Sequence, residues 1–419
     1  MCGIAGFCNF KEDFEENTDY WNFRLEKMRA VLAHRGNDAR GRFLKKHIGL
    51  SHSRLAIRDI LCGDQPMTRT HNGYEYTICY NGEIYNTDEL IPELSENGFV
   101  CSTTSDTEVI LYAYIHWGAD FVNRLNGIFA FAIWDAAKSR LLLYRDRVGV
   151  KPLFYAIRGD SLVFGSEPKA CFAHPAVKPE LDKQGLQELL AIGPAHTSGL
   201  SLFKDLFEVL PGHFMIYSRD GLHDETYWEL TSREHTESYR DTVAHTRFLV
   251  EDAIKRQMVS DVPVCTFLSG GIDSSIVTAI AANYMNTRGK TLNTFSFDFK
   301  DNDRYFKANA FQPERDLPYV NRMLEEYETA HSYLECDENS LFKALFAAVD
   351  AKDMPGMTDV DSSDMASHGH RMSLHALLFC AMMWVLSLIY PVIRLFDMRS
   401  RGQKHLSFTA RPVRTKAAA

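Results

Sequence analysis

The chain has 419 residues, of which 45% are hydrophobic and 24% are charged, and its formal net charge is -9 at pH 7. These values are typical of a globular protein with two or three domains, and the negative charge argues against nucleic acid as a main partner. Nine cysteines without a Cys-x-x-Cys pair argue against a disulfide framework or a zinc site and indicate the reduced thiols of a cytoplasmic protein. The first residues also lack the basic and apolar stretches of a signal peptide.

The first predicted strand, residues 4–7, follows a cysteine at position 2 in the opening string MCGIAGF. Cys2 has two interpretations: a small apolar residue of that strand or, once Met1 is removed, a nucleophile with a free α-amine beside its thiol. Typical pKa values of ~7.7–8.0 for the amine and ~8.5 for the thiol lie close together. The amine can therefore act as general base for the thiol. Taken alone, this string leaves both interpretations open.

Residues 2–200 contain short apolar segments with β-branched and aromatic residues between turn-forming Gly, Asn and Asp, a pattern typical of strands. These segments are 76–80, 128–134, 140–144 and 161–164. Residues 107–117 (TEVILYAYIHW) have the apolar spacing of a helix, and Ser105 or Asp106 is placed to cap it. We therefore predict a β-rich domain with covering helices over residues 2–200.

A linker is predicted over residues 201–238, in a region where proline and glycine cluster. From residue 239 onward the pattern changes to helix (239–258), strand (262–268), helix (274–284), strand (291–297) and helix (319–326). The first of these helices is expected to place Phe248, Val250, Ala253 and Ile254 on one side. Alternation of strand and helix predicts βαβ units and a parallel sheet.

The string SGGIDSS (269–275) joins a predicted buried strand to the following helix. Gly270 and Gly271 permit a close turn whose backbone N–H groups form an anion-binding nest. Asp273 and Ser274 begin the helix, whose positive end favours a phosphate. The Gly-Lys-Ser/Thr of a Walker A loop does not follow. Glycines in a βα turn also have a purely structural explanation, but the whole string resembles the pyrophosphate-binding loop of enzymes that adenylate a substrate.

Further strings follow MCGIAGF in one order: HRGND (34–38), SHSRLAI (51–57), YNGEIYN (80–86), SDTE (105–108) and RDRVGVKPL (145–153). Together with SGGIDSS, they resemble the glutamine-hydrolysing asparagine synthetase family of class II glutamine amidotransferases over residues 2–363. One departure is Asn37, where the family has a proline. The resemblance implies an α/β (α+β) fold: an N-terminal-nucleophile αββα sandwich over 2–200, then an incomplete parallel-sheet ATP-pyrophosphatase-type α/β domain over 239–363.

The resemblance implies that Cys2 attacks the side-chain amide of glutamine. Asn81, through its side-chain amide, and Gly82, through its backbone N–H, are the implied donors to the tetrahedral oxyanion. Arg54 would bind the substrate α-carboxylate and Asp106 its α-ammonium group. Taken singly, a surface ion pair explains Arg54 and a helix cap explains Asp106. The further glutamine-binding residues that the resemblance implies are Leu55, Ala56, Ile57, Arg58 and Glu83.

By the same resemblance, the second domain binds ATP, Mg²⁺ and aspartate, adenylates the β-carboxylate and lets ammonia displace AMP. The sequence does not assign the metal ligands. The implied small-molecule substrates are glutamine, aspartate and ATP, and a homodimer is common in the family. The ATP-binding residues that the resemblance implies are Leu268, Ser269, Gly270, Gly271, Asp273, Ser274 and Phe297.

Three other functions stay open. A stand-alone glutaminase with a non-functional synthetase half would hydrolyse glutamine regardless of ATP and aspartate. Another ATP-dependent amidotransferase, such as a β-lactam synthetase, would release pyrophosphate with a different carboxylate. A non-catalytic interaction protein would keep only the scaffold, which does not require the full set of Cys2, Arg54, Asn81, Gly82 and Asp106.

After residue 363 the pattern departs from the family, which continues with a helix and an acidic segment like SGECADEIFGGY. Here residues 364–419 contain the apolar stretch LHALLFCAMMWVLSLIYPVI (374–393) and then a basic segment. Three interpretations stay open: a divergent end of a C-terminally shortened chain, a helix buried against the synthetase sheet, and a membrane anchor. The anchor has no place in this family. The short string HGH (368–370) indicates a loop rather than a metal site.

Overall fold

The computed structural model describes residues 1–193, 196–310 and 313–355. The strands are β1 (Gly3–Asn9), β2 (Ala39–Lys45), β3 (Ile48–Arg54), β4 (Met67–His71), β5 (Tyr74–Ile84), β6 (Gly127–Asp135), β7 (Arg140–Arg145), β8 (Phe154–Arg158), β9 (Ser161–Gly165), β10 (Phe207–Glu208), β11 (His213–Ser218), β12 (Gly221–Thr226), β13 (Cys265–Phe267), β14 (Leu292–Phe299) and β15 (Thr329–Cys336). The α-helices are α1 (Thr18–Ala30), α2 (Thr87–Glu96), α3 (Asp106–Trp117), α4 (Pro168–Phe172), α5 (Lys183–Gln187), α6 (Tyr239–Arg256), α7 (Ile272–Asn286), α8 (Asn302–Tyr305), α9 (Leu317–Glu326) and α10 (Glu338–Lys352).

The strands up to Thr226 form two antiparallel six-stranded sheets that pack face to face. The first has the order β10-β8-β9-β1-β3-β2 and the second the order β12-β11-β7-β6-β5-β4. One hydrophobic core joins them, since Ile4 and Phe164 of the first sheet pack with Leu143 and Met215 of the second. This core holds β1, and therefore the start of the chain, against the middle of the opposite sheet.

Helices cover the outer face of each sheet. Leu25 and Met28 of α1 pack with Phe7 of the first sheet, and Tyr114 of α3 packs with Phe131 of the second. The layer order is therefore helix, sheet, sheet, helix, which confirms the predicted αββα sandwich.

Local sequence explains the two elements that carry most of this packing. The string GIFAFAIWD of β6 is continuously apolar because both of its faces are covered, and Ile128 to Asp135 are all buried. Helix α3 begins at Asp106, and the Ser105 hydroxyl accepts a hydrogen bond from the Thr107 N–H at 3.3 Å. Ser105 is thus the cap, and the Asp106 side chain is left for other partners.

The predicted linker over residues 201–238 is wrong up to Thr226. Strands β11 and β12 extend the second sheet, with Phe214 paired to Tyr144 of β7. Pro211 and Gly212 form a tight turn inside the sandwich, where Gly212 has φ 72 and its N–H donates to the Asp146 carbonyl at 2.9 Å. The sandwich continues to Thr226 because these strands pair with strands far away in sequence, which local composition does not indicate.

The second unit contains three parallel strands in the order β13-β14-β15. Helix α7 connects β13 to β14, and α6 packs against α7 around Ile254, Val277 and Ala281. The predicted parallel sheet is therefore confirmed. The predicted inner face of α6 is only partly correct, because Phe248 is 63% exposed.

Among the described residues, none of the helices combines the length and the apolar character that a bilayer crossing requires. Residues 374–393, the rest of the 364–419 tail and the string at 368–370 lie outside the described residues.

Candidate functional site

The Cys2 thiol lies beside the residue that follows β3. The Leu55 N–H approaches Cys2 Sγ at 3.4 Å, and Sγ approaches the Leu55 carbonyl at 3.6 Å. Arg35 Nε donates to the Cys2 carbonyl at 2.9 Å. Strand β1 lies between β3 and β9 in the middle of its sheet. The side chain is half-buried, so the thiol is both held in place and open to a small substrate.

The surroundings of Cys2 favour an unprotonated amine. Burial lowers the pKa of the α-amino group, at Met1, to about 5. The buried Lys151 lies within electrostatic range of Cys2 and Arg35, and burial lowers its pKa. A lowered pKa favours the neutral form of the Met1 amine, and the neutral form of an amine is the one that can act as a general base.

Strand β5 faces the nucleophile from the opposite sheet. Cys79 and Glu83 of this strand both lie within electrostatic range of Cys2. Between them, Asn81 is 1% exposed, and its Nδ2 has no hydrogen-bond partner among the described residues. A buried amide donor without a partner is costly, so this group is available to a ligand.

Gly82 is required by close packing. A Cβ at this position would lie 2.3 Å from the Ile128 carbonyl oxygen of β6. The backbone at this position therefore lies closer to β6 than a residue with a Cβ atom could come. The adjacent pair Asn81 and Gly82 is placed at the point where β5 approaches the start of β1.

The Arg54 guanidinium is buried and organises a loop. It donates to the carbonyl oxygens of Asp59 (2.5 Å) and Ile60 (3.1 Å) and to Asp64 Oδ1 (3.0 Å). Arg54 also lines a surface pocket together with Ala56 and other residues of this loop. The structure thus gives Arg54 a loop-anchoring role, which is compatible with a second role toward a substrate carboxylate.

Glu83 and Asp106 form an acidic pair near Arg58. Asp106 accepts hydrogen bonds from the Tyr80 hydroxyl at 2.9 Å and the Ile84 N–H at 3.1 Å. Burial raises the pKa of Glu83, and the charge of Asp106 raises it further. Burial also raises the pKa of Asp106, against the influence of Arg58. A cationic ligand group would relieve the repulsion in this pair.

The remaining implied residues lie in the same loop. The Ala56 N–H donates to Asp38 Oδ2 at 2.8 Å, so the HRGND string supports this segment directly. The Arg58 guanidinium donates to the Ile84 carbonyl at 2.9 Å. Leu55 is buried, and Ile57 offers its carbonyl to the Asp261 N–H at 3.0 Å.

The RDRVGVKPL string has a structural explanation that its sequence did not indicate. Asp146 is fully buried, and its carboxylate accepts hydrogen bonds from the backbone N–H groups of Phe129, Val150 and Lys151. Arg145 donates to the carbonyl oxygens of Gly149, Lys151 and Val209. The string therefore builds the turn that holds Lys151 near Cys2.

The second candidate site is the SGGIDSS loop at the carboxyl end of β13. The Ser274 hydroxyl bonds the Ser269 N–H at 3.2 Å and the Ser269 hydroxyl at 3.0 Å. Gly270 has φ 79, and Gly271 caps α7. Asp273 stands in the first turn of that helix. These contacts form the close turn that the sequence predicts.

A cavity of about 230 Å³ opens beside this loop. Leu268 and Ser269 line it from β13, and Phe297 lines it from β14. Asp298 and Asp316 also line it, but Asp298 already accepts hydrogen bonds from Arg315 and Tyr333, among others. Among the described residues, no group of three or more His, Cys, Asp or Glu side chains is placed to hold a metal ion.

Sequence reasoning missed the contacts around Glu167. Arg35 Nη1 donates to Glu167 Oε1 at 2.6 Å, and His34 Nε2 lies 3.0 Å from the same oxygen. Burial alone would raise the pKa of Glu167, but the His34 hydrogen bond and the Arg35 charge outweigh it and hold the pKa at about 2. The conspicuous HRG string was a signal for Arg35, whereas no local pattern indicates Glu167.

Comparisons with known proteins agree with this arrangement. Residues 1–228 match the family described as glutamine amidotransferase domain, and residues 245–373 match the asparagine synthase family. Asparagine synthetase [glutamine-hydrolyzing] 3 of Bacillus subtilis is 47% identical over 87% of this chain and 59% of its own length. A putative asparagine synthetase of Methanocaldococcus jannaschii is 32% identical over 80% and 64%. Asparagine synthetase B of Escherichia coli is 30% identical over 69% and 46%. The chain thus spans less than two thirds of the length of each of these relatives.

Proposed function

Because the chain belongs to the family of glutamine amidotransferases that carry an asparagine synthase domain, we propose that it transfers ammonia from glutamine to aspartate, using ATP. Cys2 is the proposed nucleophile, and the observation that carries the proposal is the unpartnered Asn81 amide on the strand that faces it. An N-terminal thiol opposite a free, buried hydrogen-bond donor is the arrangement that amide hydrolysis requires.

In the first half-reaction, Cys2 Sγ attacks the amide carbon of the glutamine side chain, and its proton passes to the α-amine freed by removal of Met1. Asn81 Nδ2 and the Gly82 N–H stabilise the resulting oxyanion. The intermediate then expels ammonia, which takes up that proton, and leaves a thioester on Cys2. Water hydrolyses the thioester to glutamate and restores the thiol. We assign Arg54 to the substrate carboxylate and the pair Glu83 and Asp106 to its ammonium group.

In the second half-reaction, the aspartate β-carboxylate attacks the α-phosphate of ATP and releases pyrophosphate. Ammonia then attacks the acyl carbon of β-aspartyl-AMP and displaces AMP, which yields asparagine. The turn with Gly270 and the start of α7 at Asp273 support a phosphate role, since a glycine nest and a helix N-terminus both attract anions. Phe297 lines the adjoining cavity and is assigned to the adenine side, together with Leu268 and Ser269.

The proposal extends to Mg²⁺, location and assembly. Mg²⁺ commonly binds through substrate phosphates with one or two carboxylates, so we expect it to arrive with ATP. The nine cysteines of the chain include no Cys-x-x-Cys pair, which supports a cytoplasmic location. A homodimer is proposed from the family resemblance, and light scattering on the purified chain tests it.

The test is ammonia release from glutamine by the purified chain, with and without ATP plus aspartate, with asparagine measured in parallel. We expect ammonia release in both cases and asparagine only with ATP and aspartate. A Cys2→Ala variant is the blank for the first half-reaction, and it should still make asparagine from added ammonium. Ammonia without asparagine would reject the synthetase half of the proposal, and no ammonia would reject the glutaminase half.

A further inference from the structure

Two helices from the two units meet end to end at a polar joint. Asp353, which follows the last residue of α10, accepts a hydrogen bond through Oδ2 from the Lys169 N–H in the first turn of α4 at 2.9 Å. In return, Lys169 Nζ donates to the Asp350 carbonyl and to the Ala351 carbonyl (3.1 Å) in the last turn of α10. The carboxylate thus meets a helix N-terminus and the ammonium a helix C-terminus, the favourable pairing at both ends.

The joint continues inward to the nucleophile. Lys169 Nζ lies 3.4 Å from Asp353 Oδ1 and 2.9 Å from Glu167 Oε2. Glu167 accepts from Arg35 Nη1 at 2.6 Å, and Arg35 Nε donates to the Cys2 carbonyl at 2.9 Å. An unbroken series of charged contacts therefore runs from the second unit to the main chain of Cys2.

Burial makes this series different from a surface ion pair. The side chains of Arg35 and Glu167 are 7% and 8% exposed, and those of Lys169 and Asp353 are 18% and 13% exposed. Exposed pairs contribute little because water competes for both partners. In a buried pair, removal of one partner leaves the other charge uncompensated, and the neighbouring residues must rearrange.

At its other end, α10 contacts the predicted nucleotide side. Ala344 of α10 packs with Cys336 and with Phe297 of β14, and Phe297 lines the cavity beside the SGGIDSS loop. Ala344 and Asp353 belong to the same stretch of helix and cap. One helix thus connects the wall of the second site to the joint with Lys169.

We propose that Lys169 is a positioning residue that couples the end of α10 to the Cys2 main chain through Glu167 and Arg35. The inference rests on the proposed role of Cys2 as nucleophile. In this role, Lys169 does not touch the substrate. By holding Glu167 between the two units, it keeps the start of β1 in place opposite Asn81.

The test compares glutamine hydrolysis by the full-length chain and its Lys169→Met and Lys169→Arg variants. Lys169→Met should lower kcat roughly tenfold, which corresponds to about 1.4 kcal/mol, because the buried Glu167 loses one of its ion-pair partners, while KM for glutamine stays within about twofold. Lys169→Arg should restore most of kcat, because a guanidinium can also form ion pairs with both carboxylates. Unchanged kcat in Lys169→Met would overturn the proposal, as would failure of Lys169→Arg to exceed Lys169→Met.

A matched control is Arg256→Ala, which removes the ion pair of Arg256 with Glu89 (2.6 Å) that also joins the two units, together with its pair to Asp252 on the same helix (2.7 Å). These side chains are 34–58% exposed and do not belong to the series that leads to Cys2, so kcat should not change, and an equal loss would overturn the proposal. Amide hydrogen exchange supplies a readout that does not depend on activity: the peptide covering residues 1–8 should exchange faster in Lys169→Met than in the parent chain. If the parent chain releases no ammonia, the proposed function fails, while exchange still decides whether Lys169 holds the segment around Cys2.

Discussion

The two units of the molecule bury their apolar helices to different extents. Within the sandwich, α3 is buried along most of its length, including Ile110 and Leu111 at 0% exposure. In the second unit, Phe342 and Phe346 of α10 are each 63% exposed, although they lie one turn apart on the helix. Among the described residues, the sandwich thus has a closed core on both faces of its sheets, and the three-stranded sheet does not.

The largest expected effect comes from a variant that separates the two proposed half-reactions, one in each unit. Cys2→Ala should lower glutamine hydrolysis by roughly 10³-fold or more, because the attacking atom is absent. Asparagine formation from added ammonium should persist at the rate of the parent chain, since Cys2 lies in the other unit. Parallel assays with glutamine and with ammonium measure both. Substantial glutaminase activity in Cys2→Ala would reject its role.

Asn81→Ala tests whether the buried amide acts on the transition state. We expect kcat for glutamine hydrolysis to fall by about 10²–10³-fold, the typical cost of one oxyanion donor, with little change in KM. Asn81 Nδ2 has no hydrogen-bond partner in the part of the chain that the structure describes, so its removal should not destabilise the fold. Steady-state kinetics together with a thermal melt check both statements. A parallel rise in KM without loss of kcat would instead indicate ground-state binding.

A pair of aromatic substitutions measures the difference in packing directly. Phe131 is fully buried, and its ring stacks on Tyr144 with centroids 4.7 Å apart. Phe131→Ala should lower the free energy of unfolding by about 3–5 kcal/mol. Phe346→Ala, on the exposed face of α10, should change it by only about 0.5 kcal/mol. Urea unfolding of both variants is the measurement. Equal losses would show that α10 is covered in solution.

Glycine substitutions should change stability less than Phe131→Ala does, and they test the second site. Gly270 has φ 79, and a Cβ there would lie 2.8 Å from the Asp316 carbonyl oxygen. Gly289 has φ 67 with open space around it. Both changes to Ala cost about 1–2 kcal/mol of backbone strain, but only Gly270→Ala should impair asparagine formation. Glutaminase activity should stay unchanged in both, and loss of synthesis in Gly289→Ala would point to general destabilisation.

Much of the fold was predictable because its signals are local. The apolar string of β6, the capped helix after Ser105 and the strand-helix alternation after residue 239 each reflect a periodicity within one segment. Element ends were less certain, as α7 begins at Ile272 rather than at Ser274. The linker prediction failed because the partner of β11 is β7, some 70 residues earlier in the chain, and pairing between distant strands has no local signature.

The candidate site divides in the same way. Its residues occur in recognisable strings, and the structure brings Cys2, Leu55 and the β5 segment around Asn81 into one region. The structural contacts that these strings make were not predictable from the sequence. Arg54 anchors its own loop through main-chain carbonyls, which requires knowledge of the path of that loop.

The sequence by itself determined the family of this protein and the candidates for its chemistry: a cysteine at position 2, a glycine-rich turn before a helix, and strings that match one family of amidotransferases. These features can be recognised because each depends on a few consecutive residues. Only the tertiary structure decided how the two units are joined. The contacts of Lys169 with Glu167 and Asp353 connect positions up to 184 residues apart. Buried ion pairs depend on the distance between the charged groups in space and on the exclusion of water. Neither can be inferred from the order of residues in the chain.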